Sequence, residues 1–212
     1  MRAFRYGLAV VGVVGGSALA PARAEADVVK VFGELHGGAM GGSGQAGDQQ
    51  DEAFFATAPH GMYGARVGAR FLVVDATLQH HQYRGGGELA TWTQVMAGLG
   101  FQSDLGSDQQ KQAHTSTYVD VGLTVGFGLG TGRQVDPPLS NDEVTDKGFL
   151  VEGRLGFGKH LNKVLDVGLA VPVSWGYFFK NGVDDTANDV STQYQSLQIE
   201  AVLYLRLNIK LL

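Results

Sequence analysis

Hydrophobic and polar residues alternate with period two along most of this chain. The clearest run is near its end. Leu197, Ile199, Ala201, Leu203, Leu205, Leu207 and Ile209 take one side, and Gln198, Glu200, Tyr204, Arg206, Asn208 and Lys210 take the other. Val119 to Leu129 alternates with Asp120, Gly122, Thr124, Gly126 and Gly128, and Val167 to Tyr177 alternates with Asp166, Gly168, Ala170, Pro172, Ser174 and Gly176. Weaker runs start at Val29, Tyr63, Val74, Thr93 and Phe149, which brings the expectation to eight strands. Helical periodicity is nearly absent. The strands are longer than the five or six residues usual in a soluble sheet.

The segments between strands set an expected orientation. Residues 43–58, 84–90, 130–147 and 180–192 are polar and rich in Gly, Asp and Asn, whereas strands two and three join near Leu72 and strands six and seven near Leu161 to Lys163. Residues 104–113 form a connection of moderate length. In outer-membrane barrels the short turns and both termini lie in the periplasm and the longer loops lie outside. Trp175, Tyr177 and Phe178 fall where strand seven should meet the outer interface, and Phe149 where strand six leaves it.

Export is expected from the first 24 residues. Arg2 and Arg5 precede the apolar stretch Gly7 to Ala20, and Ala22-Arg23-Ala24 reads as a cleavage site before Glu25. The expected organisation is a signal peptide over 1–24 and an outer-membrane barrel domain over 25–212.

Composition then narrows the function. The chain has 212 residues, a net charge of -5 and no Cys, and 17% of its residues are charged. There is no basic excess for nucleic-acid binding. No apolar run is long enough for a helical membrane span.

Parity puts Lys30, Arg66, Arg70, Arg154, Arg206 and Lys210 on the polar face together with Glu34, Asp75, Asp120, Glu152, Asp166 and Glu200, joined by His36 and His81. A face this charged cannot meet lipid, so it is expected to line a lumen. An eight-stranded lumen is just wide enough for side chains to fill, and buried charges persist when paired. The expectation is therefore an ion-paired plug.

The expected outer loops carry Asp48, Asp51, Glu52, Glu88, Asp136, Asp142, Glu143, Asp146, Asp184, Asp185 and Asp189 against Arg84, Arg133, Lys147 and Lys180, an excess of about seven negative charges. Solvated loop charge is the plain reading. Asp184, Asp185 and Asp189 are the candidate cation-binding loop, because hard cations take clustered carboxylates. No metal or other cofactor is expected elsewhere.

Several motifs mislead. The glycines from Gly126 to Gly132 lack phosphate-loop spacing and no helix follows them. His80 and His81 are adjacent on a strand and face opposite sides. His114-Thr115-Ser116 is the one H-x-S, and it precedes strand five at the expected periplasmic end.

Signal peptide, eight alternating strands, four outer loops and a charged lumen together resemble the small OmpA/OmpX-type outer-membrane barrels. The chain departs from them in ending Ile209-Lys210-Leu211-Leu212 where an aromatic residue is usual. The resemblance implies an all-β fold, an eight-stranded antiparallel up-and-down transmembrane β-barrel, monomeric and in contact with outer-membrane lipid and lipopolysaccharide. The expected function is non-catalytic, in surface structure or adhesion through the acidic extracellular loops. The alternatives are a narrow channel or OmpW-like passage for small hydrophobic molecules and, third, a lipid-modifying enzyme.

Overall fold

The structure, a computed structural model, describes residues 29–45, 60–85, 88–134, 144–183 and 189–211. Eight antiparallel strands close into a barrel in which each strand pairs with its sequence neighbours and the last returns to the first. They are β1 (Val29–Gln45), β2 (His60–Phe71), β3 (Val74–Gly85), β4 (Glu88–Asp104), β5 (Thr117–Gln134), β6 (Val144–His160), β7 (Leu165–Val183) and β8 (Asp189–Lys210). The expected signal peptide lies outside the described residues.

Strands reach further than the sequence pattern suggests. β5 continues to Gln134 and β6 begins at Val144, inside the segment expected to be loop. Only residues 86 and 87 separate β3 from β4. A polar strand outside an apolar belt keeps its ladder hydrogen bonds and needs no hydrophobic face, so alternation fades before the strand does. The connection after β4 also holds a short helix, α1 (Asp108–Gln112), which Ser107 and Gln110 start with a capping box.

Beside the α1 connection, the other two described connections at the lower end are tight turns. β2 and β3 join through Leu72 and Val73, with Leu72 at φ 54°. At the β6–β7 turn the Asn162 Oδ1 accepts the backbone N–H of Val164 and of Leu165 at 2.9 and 3.0 Å, closing the corner with a side chain.

Register fixes the shape. The ladder can be followed from Lys30 through Arg70, Asp75, Gly98, Thr124, Glu152, Ser174 and Gln198. It returns to β1 at Gly42, 42 − 30 = 12 residues further along. With a rise of about 3.3 Å per residue and strands about 4.8 Å apart, a shear of 12 over eight strands tilts them by about 46°. It gives a radius of about 9 Å and an axial rise of about 2.3 Å per residue. Neighbouring strands are thus offset in height by one and a half residues, and this sets which side chains share a level.

Outward positions form an apolar wall. Leu35, Val67, Leu78, Val95, Leu123, Val125, Leu155, Leu169, Leu203 and Leu207 are all exposed, with at least one on every strand. Over β5–β8 the band runs from Val119, Leu165 and Ile209 up to Leu129, Phe149 and Leu197, about 25 Å. Over β2–β4 it stops near Ala65, Leu78 and Val95, about 16 Å up, where Tyr63, His80, Gln82 and Thr93 take over.

One seam is irregular. On the β7–β8 ladder the pairing jumps from Ala170↔Val202 to Val173↔Ile199, skipping Pro172, which has no N–H to donate.

Candidate functional site

The lumen is the candidate site, and its chemistry changes with height. At the bottom, His160 bridges two carboxylates, with Nδ1 2.6 Å from Asp166 and Nε2 3.1 Å from Asp104. Asn208 donates to the other Asp166 oxygen at 2.6 Å, and the Lys30 ammonium donates to the Gln102 amide oxygen at 3.0 Å.

Above this level six charged side chains from six strands form one chain across the bore. Arg70 grips Asp75 with two hydrogen bonds of 2.6 and 2.7 Å, a pair aligned by the ladder just above the Leu72 turn. Arg70 Nη2 also donates to Asp120 Oδ1 at 3.3 Å, and Asp120 Oδ2 accepts from Arg206 at 3.1 Å. Arg206 Nε then donates to Glu34 Oε2 at 2.9 Å. Arg154 Nη2 donates to the two oxygens of Glu34 at 2.9 and 3.1 Å. The count is three bases to three acids, joined by charge-assisted bonds at short range.

Aromatic faces complete the packing of these guanidiniums. Arg206 lies 4.9 Å from the Tyr204 ring centre and 5.3 Å from Phe32; Arg154 lies 5.4 Å from Tyr204. The remaining expected members sit elsewhere. Arg66 is buried over Phe32 at 5.3 Å, with no carboxylate within 4 Å among the described residues. Glu152 accepts from Gln79 and Gln94 at 3.5 and 3.1 Å, and Glu200 accepts from the Tyr83 hydroxyl at 3.2 Å. Lys210, the last residue of β8 and paired with Lys30, is exposed at the lower rim rather than enclosed in the bore. Arg66, Glu152, Arg154 and Thr124 border a small cavity with room for about one water at most.

Higher up, large apolar side chains gather among buried polar ones such as His60, Ser196 and Gln198. Met40, Met62, Tyr83, Trp92, Leu150 and Phe178 are buried and belong to one cluster. The Trp92 indole packs edge-on to Phe178 at 5.2 Å. It rests over Gly128 and Gly130, where a Cβ would come within 2.2 Å of the ring. Phe178 is thus a correction to the interface aromatics: it points inward between Phe149, Trp175 and Tyr177, which keep outward positions, because neighbours on a strand take opposite faces. On β6 and β7 the apolar layer was missed because both faces are hydrophobic, as at Phe149, Leu150 and Val151; on β3 and β4 the faces invert, with Tyr83 and Trp92 inward between polar outward neighbours.

Other candidates separate. His36 and His81 both face the lumen, ring centres 4.9 Å apart, whereas His80 faces outward and meets Thr93 Oγ1 at 2.8 Å. Ser116 is buried below β5 and its Oγ has no hydrogen-bond partner, so no base reaches it. Among the described residues no group of three His, Asp or Glu could hold a metal. Asp184 and Asp185 lie outside the described residues, and of Asp189 only its place at the start of β8 is described. Asp146, expected in an outer loop, is a buried inward residue of β6.

No family model and no curated protein matches the chain. Solved structures similar to it include Neisserial surface protein A, at 8% identity and a TM-score of 0.46, covering 86% of this chain and 97% of that one. The outer membrane protein AlkL is 13% identical with a TM-score of 0.48, covering 85% and 90%. A major outer membrane protein from Thermus thermophilus is 11% identical with a TM-score of 0.45, covering 85% and 99%.

Proposed function

We propose that this protein is an integral outer-membrane barrel with a closed lumen, working at the cell surface and performing no chemistry of its own. The observation that carries the reading is the inversion of a soluble fold: exposed Leu, Val, Ile and Phe circle the outside, and the charges are inside. Only a hydrocarbon surround makes that arrangement favourable, and its band of about 25 Å over β5–β8 matches such a membrane. The tight turns at Leu72 and Asn162 then face the periplasm, and the upper strand ends project outward.

Two successive barriers support the plugged reading. The Asp75–Arg70–Asp120–Arg206–Glu34–Arg154 chain spans the bore, and the Met40–Tyr83–Trp92–Phe178 layer covers it. Surface structure or adhesion through the acidic loops is the role left to such a barrel.

A second reading, passage of small hydrophobic molecules, draws on the apolar upper lumen and the gap in the ladder at Pro172. The charged chain below makes a dead end for an apolar solute. Outer-membrane fractionation with heat-modifiable gel migration tests the membrane placement. Planar-bilayer recording of the purified protein tests the plug: a silent bilayer is expected, and steady single-channel conductance would overturn it.

A further inference from the structure

We propose that the upper lumen binds a soft monovalent metal ion, Cu(I) in class, between the thioethers of Met40 and Met62 and the imidazole of His81, with the Glu200 carboxylate as counter-charge. The proposal needs the barrel and its interior, and it adds a ligand that a surface role alone does not call for.

Two acceptors face each other there. His81 Nε2 lies 3.3 Å from Gln79 Oε1, while the Gln79 amide nitrogen donates to Glu152 at 3.5 Å. An amide oxygen only accepts, so the ring proton sits on Nε2 and leaves Nδ1 with a bare lone pair. That Nδ1 has no hydrogen-bond partner and lies 3.9 Å from Glu200 Oε1. A proton placed between atoms that far apart makes no hydrogen bond. Glu200 accepts from the Tyr83 hydroxyl at 3.2 Å but has no Lys or Arg within 4 Å among the described residues. His81 and Glu200 are 2% and 6% exposed. A buried carboxylate without a cation and a buried nitrogen without a partner are each costly, and one metal ion between them satisfies both. Two bonds of about 2 Å to a single ion set their donor atoms about 3–4 Å apart.

Sulfur decides which ion. Glu200 and His81 come from β8 and β3, and the two strands between them, β1 and β2, contribute the buried Met40 and Met62. The register sets Met40 opposite Glu200, and Met62 opposite Tyr83, two residues from His81 on the same face. All four positions fall within about 4 Å of height. Methionine often only fills a gap, and Met96 does so: its sulfur lies against Gly126, where a Cβ would come within 2.6 Å of it. Met40 and Met62 stand instead in the sector between the bare nitrogen and the carboxylate. A hard cation takes six or more oxygens, and among the described residues no three of His, Asp and Glu could hold zinc. Thioether with imidazole is a donor set that suits Cu(I).

The full chain, untagged, is refolded into vesicles, its insertion is scored by heat-modifiable migration, and Cu(I) is titrated without oxygen against the chelator bicinchoninate. One Cu(I) per chain is expected, with sulfur among its neighbours by copper X-ray absorption. Met40, Met62 and Met96 hold all the sulfur beyond the expected signal peptide. Zn(II) should bind at least about tenfold more weakly. Met40→Leu/Met62→Leu keeps the packing volume and should lose at least about tenfold in Cu(I) affinity, whereas Met96→Leu should bind as the parent does. An inserted parent that takes up no copper, copper with only nitrogen and oxygen neighbours, Zn(II) held as tightly, or undiminished binding by the double variant would overturn the proposal. Should the double variant not insert, the parent's absorption spectrum decides. A parent that never folds would overturn the barrel reading, and the proposal with it.

Discussion

Replacing Glu34 by Gln should destabilise the barrel out of proportion to the one atom changed. Glu34 is 2% exposed and accepts from Arg154 and Arg206 at distances between 2.9 and 3.1 Å. Gln keeps the shape and one acceptor but removes the only charge facing both guanidiniums on that side. Arg206 retains Asp120 at 3.1 Å, while Arg154 is left with the face of Tyr204. Breaking a buried pair by removing one partner costs about 3–5 kcal/mol, because the other charge stays desolvated. In vesicles, urea unfolding followed by the fluorescence of Trp92 and Trp175 reads this as a lowered midpoint; with a slope of about 2 kcal/mol per molar the shift is about 2 M. The double variant Glu34→Gln/Arg154→Gln should recover part of the loss, with a coupling of about 1–3 kcal/mol. A single-variant loss below about 0.5 kcal/mol is what a solvated surface site shows. That result would mean that water reaches these groups and that the lumen is not dry at Glu34.

The Trp92→Ala/Phe178→Ala variant removes the upper layer but leaves the charged chain, so it should remain non-conducting in planar bilayers. Steady current from it would place the barrier in the aromatic layer alone. Leu203→Cys should resist water-soluble maleimide in vesicles and react with a lipid-soluble one, whereas fast aqueous labelling would contradict the lipid-facing wall. Leu72→Gly should stabilise by about 0.5–1 kcal/mol, since Leu72 holds a φ of 54° that glycine adopts without steric cost; an unchanged urea midpoint would refute it. Gly128→Val drives a side chain into the Trp92 ring and should cost about 1–3 kcal/mol, read as a lowered urea midpoint, with no loss expected if the indole can move aside.

The eight strands and the facing of every residue from Leu197 to Ile209 were legible because a wall with lipid on one side and charge on the other imposes strict alternation. Pairing was not. Parity groups Asp166 with Arg206, and the ladder sets them opposite each other, yet Arg206 reaches up to Glu34 and Asp120 while Asp166 takes His160 and Asn208. Which partner a long side chain chooses depends on the shear, and shear is a property of all eight registers together. The interior aromatics were hidden for a different reason. Phe178 lies where both faces are apolar and the one-dimensional contrast disappears, whereas at Trp92 the contrast inverts, with Thr91 and Thr93 on the outer face. The strand ends of β5 and β6 were hidden by the reverse, polar residues on both faces beyond the belt.

The bond between Glu34 and Arg206 joins the first strand to the last, across 172 residues of sequence. Each hairpin can form from near neighbours, but this contact exists only once the ends of the chain meet. Until then β1 and β8 are open edges, and the two charges must stay hydrated. Closing the seam therefore zips the final ladder and dries the interior in one event, so a half-inserted sheet gains nothing from its charges. The barrel is committed late, at the step with the largest loop to close, and the lumen charges act as a latch that engages only on a complete circle.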